Sequence, residues 1–132
     1  MSIVNAIKEK LGKYPNVSYE ATDNSITFFP LSDNGFEVTL YVFEQKGGEG
    51  FTVFYHGWHE NFQTSEEALD CFAFGLTSEC RLKETSRGGR AYRWTMEYIE
   101  DGEWQEGGTT ALFFVRFWNR KHERYLQNNL GF

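Results

Sequence analysis

Proline and cysteine are scarce in this chain, and long apolar runs are missing. Two prolines beside 13 glycines point to many tight turns between strands. The two cysteines, Cys71 and Cys80, lie nine positions apart. That spacing matches no zinc site and no CxxC redox pair, so reduced and partly buried thiols are expected. Cys71 falls within a predicted helix and should be inert, whereas Cys80 precedes Arg81, a cation able to lower its pKa. No stretch approaches the ~20 apolar residues of a membrane span. The opening MSIVNAIKEKLGKYP carries no long apolar core of the signal-peptide kind, and a cytoplasmic location is the expectation.

Positive charge is also in deficit. The formal net charge is −6, which argues against non-specific nucleic-acid binding. The deficit is uneven: residues 1–80 carry 4 Lys or Arg against 12 Asp or Glu, and residues 81–132 carry 9 against 7. A local basic strip on the C-terminal half is one reading, and mutual neutralisation of the halves is the plainer one. Motifs that announce chemistry are missing too. There is no GxSxG elbow, no P-loop and no GxGxxG after a strand. GGEG at 47–50 and RGGR at 87–90 precede no helix that could hold phosphate, and they read as hairpin turns.

What the chain has in quantity is rings. With 13 Phe, 7 Tyr and 4 Trp, the core should be built from aromatics, each burying a large apolar area. The length of 132 residues suits a single domain over 1–132 with a core of its own. Residues 2–13 predict an amphipathic helix, with Ser2 as N-cap, Ile3, Ile7 and Leu11 at spacing four, and Gly12 as its stop. VSYEATDNSITFFP predicts a hairpin about Asp23-Asn24. FEVTLYVFE places Phe36, Val38, Leu40 and Val42 on one face. FTVFYHGW is apolar on both faces and predicts a central strand. TSEEALDCFAFGL is the clearest helix, opened by Thr64 with Glu67 three residues on. CRLKETS and AYRWTMEYI flank the RGGR turn. TTALFFVRFW predicts another strand and HERYLQN a last one, with a helix over 121–129 as the alternative.

The resulting fold class is α+β. Two helices pack on a curved, mainly antiparallel sheet, in the chain order helix, strands, helix, strands. The stretch His56, Trp58, His59 and Glu60 concentrates reactive side chains. Two histidines three apart fit no metal motif, so no metal and no cofactor is expected. The architectural reading is that Gly57 bends the strand away from its sheet, and Trp58 packs over the sheet end. Arg81, Lys83, Arg93 and Trp94 form the other constellation. Alternation puts the three cations on one sheet face, either as an anion-binding patch or as partners of Glu84 and Glu97. Arg116, Arg120, Lys121 and Arg124 flank a turn and should form an exposed rim.

These features favour a non-enzymatic module that binds a protein or a small anionic ligand through His56, Trp58, His59, Glu60, Arg81, Arg93 and Trp94. Nucleic acid and membrane are not expected partners. Whether any reaction is catalysed stays open. The competing reading is an enzyme or small-molecule carrier with an apolar pocket lined by His56, Arg93 and Trp94. Pairing of two copies through a strand over 111–118, apolar on both faces, is compatible with either.

Overall fold

A computed structural model describes residues 2–112 and 120–130. The chain runs α1 (Ile3–Leu11), β1 (Ser18–Ala21), β2 (Ser25–Phe29), β3 (Val38–Gln45), β4 (Gly48–Tyr55), β5 (Trp58–Phe62), α2 (Ser65–Gly75), β6 (Cys80–Arg87), β7 (Arg90–Glu100), β8 (Glu103–Ala111) and β9 (Lys121–Leu126). The mixed α+β class holds, with strand predominating. The expected single sheet is corrected to two antiparallel sheets. Sheet A is the meander β1-β2-β3-β4-β5, and sheet B has the order β8-β7-β6-β9. The hairpins pair locally on either side of α2, and β5 and β6 are not neighbours in either sheet. Alternation within a strand reports which face is buried, but it carries no information about which edges meet.

Local chemistry explains the helix ends. The Ser2 hydroxyl accepts the Asn5 N–H at 3.2 Å, and Gly12 closes α1. At α2, the Thr64 hydroxyl accepts the Glu67 N–H at 3.2 Å and donates to the Glu67 carboxylate at 2.8 Å. Glu66 and Glu67 lie in the first turn, where the helix dipole favours negative charge.

One apolar cluster spans both sheets and both helices. Ile7 and Leu11 of α1, Leu40 and Tyr55 of sheet A, Phe72 of α2 with Leu76 at its C-cap, and Leu82 of sheet B are all at most 1% exposed. Tyr55 spans this core: its hydroxyl donates to the Cys71 carbonyl, and its ring stacks on Trp58 at 4.6 Å between centroids. A Cβ at Gly75 would overlap the Tyr55 ring, so α2 sits close to β4 because position 75 has no side chain.

The C-terminal segment fastens the assembly. Asn128, 4% exposed, accepts the Phe36 N–H at 3.1 Å and donates to the Phe36 and Gly75 carbonyls at 3.0 and 2.9 Å. The Gln127 and Leu130 N–H groups donate to Asn34 and Leu76 carbonyls at 2.6 and 2.8 Å. One amide thus satisfies three buried backbone groups on two distant segments.

Two further expectations resolve here. Residues 121–126 form a strand, so the helical alternative is discarded. The strand expected over 109–118 begins earlier, at Glu103, directly after the Asp101-Gly102 turn. Its part beyond 112 lies outside the described residues, and so do Arg116 and most of the stretch on which pairing of two copies was argued.

Candidate functional site: a charged junction and the cationic end of sheet B

The strand FTVFYHGW does not bend toward α2 at Gly57, as expected, but reverses. His56 and Gly57 close a hairpin between β4 and β5, with Tyr55 opposite Trp58 and Phe54 opposite His59. His56 takes φ +54°, a left-handed conformation that costs a residue with a Cβ roughly 1–2 kcal/mol. Its N–H donates to the Glu37 carbonyl at 3.0 Å. Gly57 lies directly against sheet B, and a Cβ there would overlap the Trp94 indole. The hairpin tip therefore touches the second sheet because residue 57 is glycine.

At that contact three side chains converge on one carboxylate. Glu84 on β6 stands opposite Trp94 on β7 and Arg124 on β9. It accepts the Trp94 Nε1–H at 2.9 Å and the Arg124 Nε–H at 2.6 Å. His56 Nε2 approaches the same carboxylate at 3.2 Å. The Glu84 side chain is 8% exposed, against 47% for His56 and 62% for Arg124. Burial by itself pushes the carboxyl pKa up. Hydrogen bonds from Arg124 and Trp94, with the charges of Arg124 and His56, outweigh it and hold the carboxyl below its usual range. The carboxylate is thus a fixed anion between the sheets, orienting an imidazole and a guanidinium whose outer edges face water.

The other predicted site residues disperse. Trp58, read both as packing over the sheet end and as a binding residue, is 2% exposed and belongs to the core. His59 and Glu60 are exposed on β5, where the His59 backbone N–H donates to Thr110 Oγ1 at 3.2 Å and ties β5 to β8. Arg93 alternates to the face of β7 opposite Trp94, so His56 and Trp94 meet without it, and the pocket imagined from those three residues is not assembled. Arg81 and Lys83 share a face with Arg93, but both are engaged in ion pairs. Arg81 Nε donates to Glu97 at 2.7 Å, and its guanidinium sits 4.3 Å from the Trp104 ring centroid and 4.1 Å from that of Tyr125. Lys83 meets Glu97, Glu106 and Glu123 at 3.8, 3.1 and 3.6 Å. This face is a cross-strand ion network.

The thiols also correct an expectation. Cys80 is fully buried, and burial pushes its pKa far up despite the neighbouring Arg81 in sequence. Burial takes Cys71 up to about 11, although the Tyr55 hydrogen bond pulls the other way. Among the described residues, no three His, Cys, Asp or Glu side chains are grouped so as to hold a metal ion.

Positive charge gathers instead at the end of sheet B that carries the Gly88-Gly89 turn. Arg87 is directly opposite Arg90 on β7 and directly opposite Lys121 on β9. The Gly88 N–H donates to the Arg120 carbonyl at 3.4 Å, which brings Arg120 to the same tip. Arg93 stands one step in, opposite Thr85, and Arg87 and Arg93 both approach the Tyr92 ring, at 5.9 and 5.8 Å. Arg90, Arg93, Arg120 and Lys121 are exposed. No Asp or Glu occurs from 85 to 96 or from 107 to 122. The C-terminal charge balance hinted at this cluster. Arg87 and Arg90 escaped notice as members because their turn was read only as a connection, and the pairing of β6 with β9 is not written in either segment.

Compared with known protein families, curated proteins and solved structures, the chain matches none.

Proposed function

We propose that this protein is a non-enzymatic binding module that docks an acidic protein segment on the cationic end of sheet B. The observation that carries the reading is the row Arg90–Arg87–Lys121, in which like charges stand directly opposite one another on three adjacent strands. Such pairs destabilise a sheet. A chain of net charge −6 has ample carboxylates to place there, yet the flanking segments hold none. Four of the five cations are arginine; Arg87 donates to the Tyr92 hydroxyl at 3.2 Å, and the exposed Arg90, Arg93 and Arg120 carry the planar fork that matches a carboxylate in two-point contact. Screening over about 8–10 Å at ordinary salt insulates this end from the acidic remainder of the chain. A short acidic segment feels the local field, whereas a long nucleic acid also meets the overall negative charge.

The test is fluorescence anisotropy with a labelled Glu-rich peptide, its Gln counterpart and a single-stranded DNA oligonucleotide. The Glu-rich peptide should bind with an affinity that falls as salt rises, and Lys121→Glu should weaken it about three- to tenfold, as reversal of a rim charge does. Preference for the oligonucleotide, or binding that Lys121→Glu leaves unchanged, would overturn the proposal.

A further inference from the structure

Beside the cationic end lies a hollow of about 270 Å³, lined by Glu84, Ser86, Gly89, Ala91, His122, Glu123 and Arg124. We infer that this hollow is the seat for one carboxylate side chain of the docked segment, an inference that rests on the docking reading and adds the residues that select for a carboxylate.

The floor is small because of the register. Ser86 lies opposite Ala91 on β7 and His122 on β9, so the β6–β7 side of the floor carries only small side chains, and Gly89 opens the turn end. A Cβ at Gly89 would meet nothing within 4 Å. The walls are His122 and Arg124, two apart on β9 and therefore on one face. Arg124 is held in a fixed pose: its Nε donates to Glu84 at 2.6 Å, while 62% of the side chain stays exposed. One edge of the guanidinium is thus locked on the buried carboxylate and the outer edge is turned to water. A guanidinium fixed in this way is pre-organised for two-point contact and loses little side-chain freedom on binding.

The two acids in the lining are already paired with cations of the sheet. Glu84 is occupied by Trp94, Arg124 and His56. Glu123 alternates toward the other face of β9, where it meets Lys83 at 3.6 Å. The Ser86 hydroxyl and the His122 ring complete a set of groups able to donate to an oxyanion. Arg87, Arg90 and Lys121 lie at the same end of sheet B but alternate to its other face, so they supply a field that draws an acidic segment to this end and do not themselves line the hollow. Glu84 acts here as a positioning residue, since it orients Arg124 and does not meet the ligand.

The experiment is a titration of ¹⁵N-labelled protein with the Glu-rich peptide and, separately, with glutarate, on the wild type, Arg124→Lys and Lys121→Glu. Arg124→Lys keeps a cation beside Glu84 and removes the fork, and its urea midpoint serves as the folding control. The peptide should shift the amide signals of Ser86, Gly89 and Ala91. Arg124→Lys should lose those shifts and about three- to tenfold in affinity, the difference between a two-point and a single contact, with the salt dependence retained. Peptide binding that moves Arg90 and Lys121 but not residues 86, 89 and 91, or that Arg124→Lys leaves unaltered, would overturn the seat and leave the docking surface standing. If the peptide fails to bind, the docking reading falls, and glutarate decides the seat. Shifts at these amides that Arg124→Lys abolishes sustain it as a small-carboxylate site, and their absence removes it.

Discussion

Replacing Glu84 by alanine tests whether the charged junction holds the two sheets together. The substitution leaves the Trp94 Nε1–H, on a side chain that is 9% exposed, without its acceptor. An orphaned buried donor of this kind costs about 1–3 kcal/mol. Arg124 and His56 lose their partner as well, but both are largely in water and recover hydration, so together they add about 1 kcal/mol at most. The expected loss at neutral pH is therefore about 1–4 kcal/mol. Glu84→Gln keeps an oxygen for Trp94 and removes only the charge, and should cost about 1 kcal/mol. The pH dependence has a definite sign. The folded-state pKa of Glu84 lies below its ordinary value, so the stabilisation is fully present above the unfolded pKa of about 4.3. It disappears as pH falls through the lower folded value. The stability gap between wild type and Glu84→Ala should therefore narrow on acidification. Urea denaturation followed by tryptophan fluorescence at stepped pH measures it. A neutral-pH cost below about 0.5 kcal/mol, or a gap indifferent to acid, would refute the reasoning.

Asn128→Leu preserves volume but strands the Phe36 N–H and the Phe36 and Gly75 carbonyls. A loss of about 3–5 kcal/mol is expected in urea denaturation, and a loss below about 1 kcal/mol would mean that water or another group takes the amide's place. Gly57→Ala forces a methyl into the Trp94 indole, and should cost about 1–3 kcal/mol of stability as overpacking does. An unchanged melting temperature with an undisturbed Trp94 environment would show that the hairpin tip does not rest on sheet B. Both thiols, with pKa values raised by burial, should resist iodoacetamide in the native protein and react on unfolding. Native labelling of Cys80 would contradict its placement in the core.

Much of the fold was legible where a few adjacent residues decide the structure. Ser2 and Thr64 announce their helices because capping needs only a hydroxyl and the next turn. Gly88-Gly89 announces its hairpin because both residues take positive φ, at 59° and 80°, which glycine alone tolerates freely. The reversal at His56-Gly57 was missed because few residues other than glycine take a left-handed turn position, and one histidine before a glycine does not by itself announce a two-residue turn. Its conformation is held by distant groups, the Glu37 carbonyl and Glu84. The junction was invisible for the same reason: His56 comes from a hairpin turn of sheet A and Glu84, Trp94 and Arg124 from three strands of sheet B, whose adjacency is a property of sheet order. Arg81 shows the converse. Its position on the expected face followed from alternation, but its neutralisation by Glu97 and enclosure by Trp104 and Tyr125 depended on three other strands.

The central claim is that the Arg90–Arg87–Lys121 row is retained for binding at the expense of stability. Arg90→Thr, with urea stability and Glu-rich peptide affinity measured side by side, addresses it most directly. The account predicts a fold more stable by about 0.2–1 kcal/mol, from relief of the cross-strand repulsion, together with weaker peptide binding. A less stable fold with unchanged peptide affinity would contradict it.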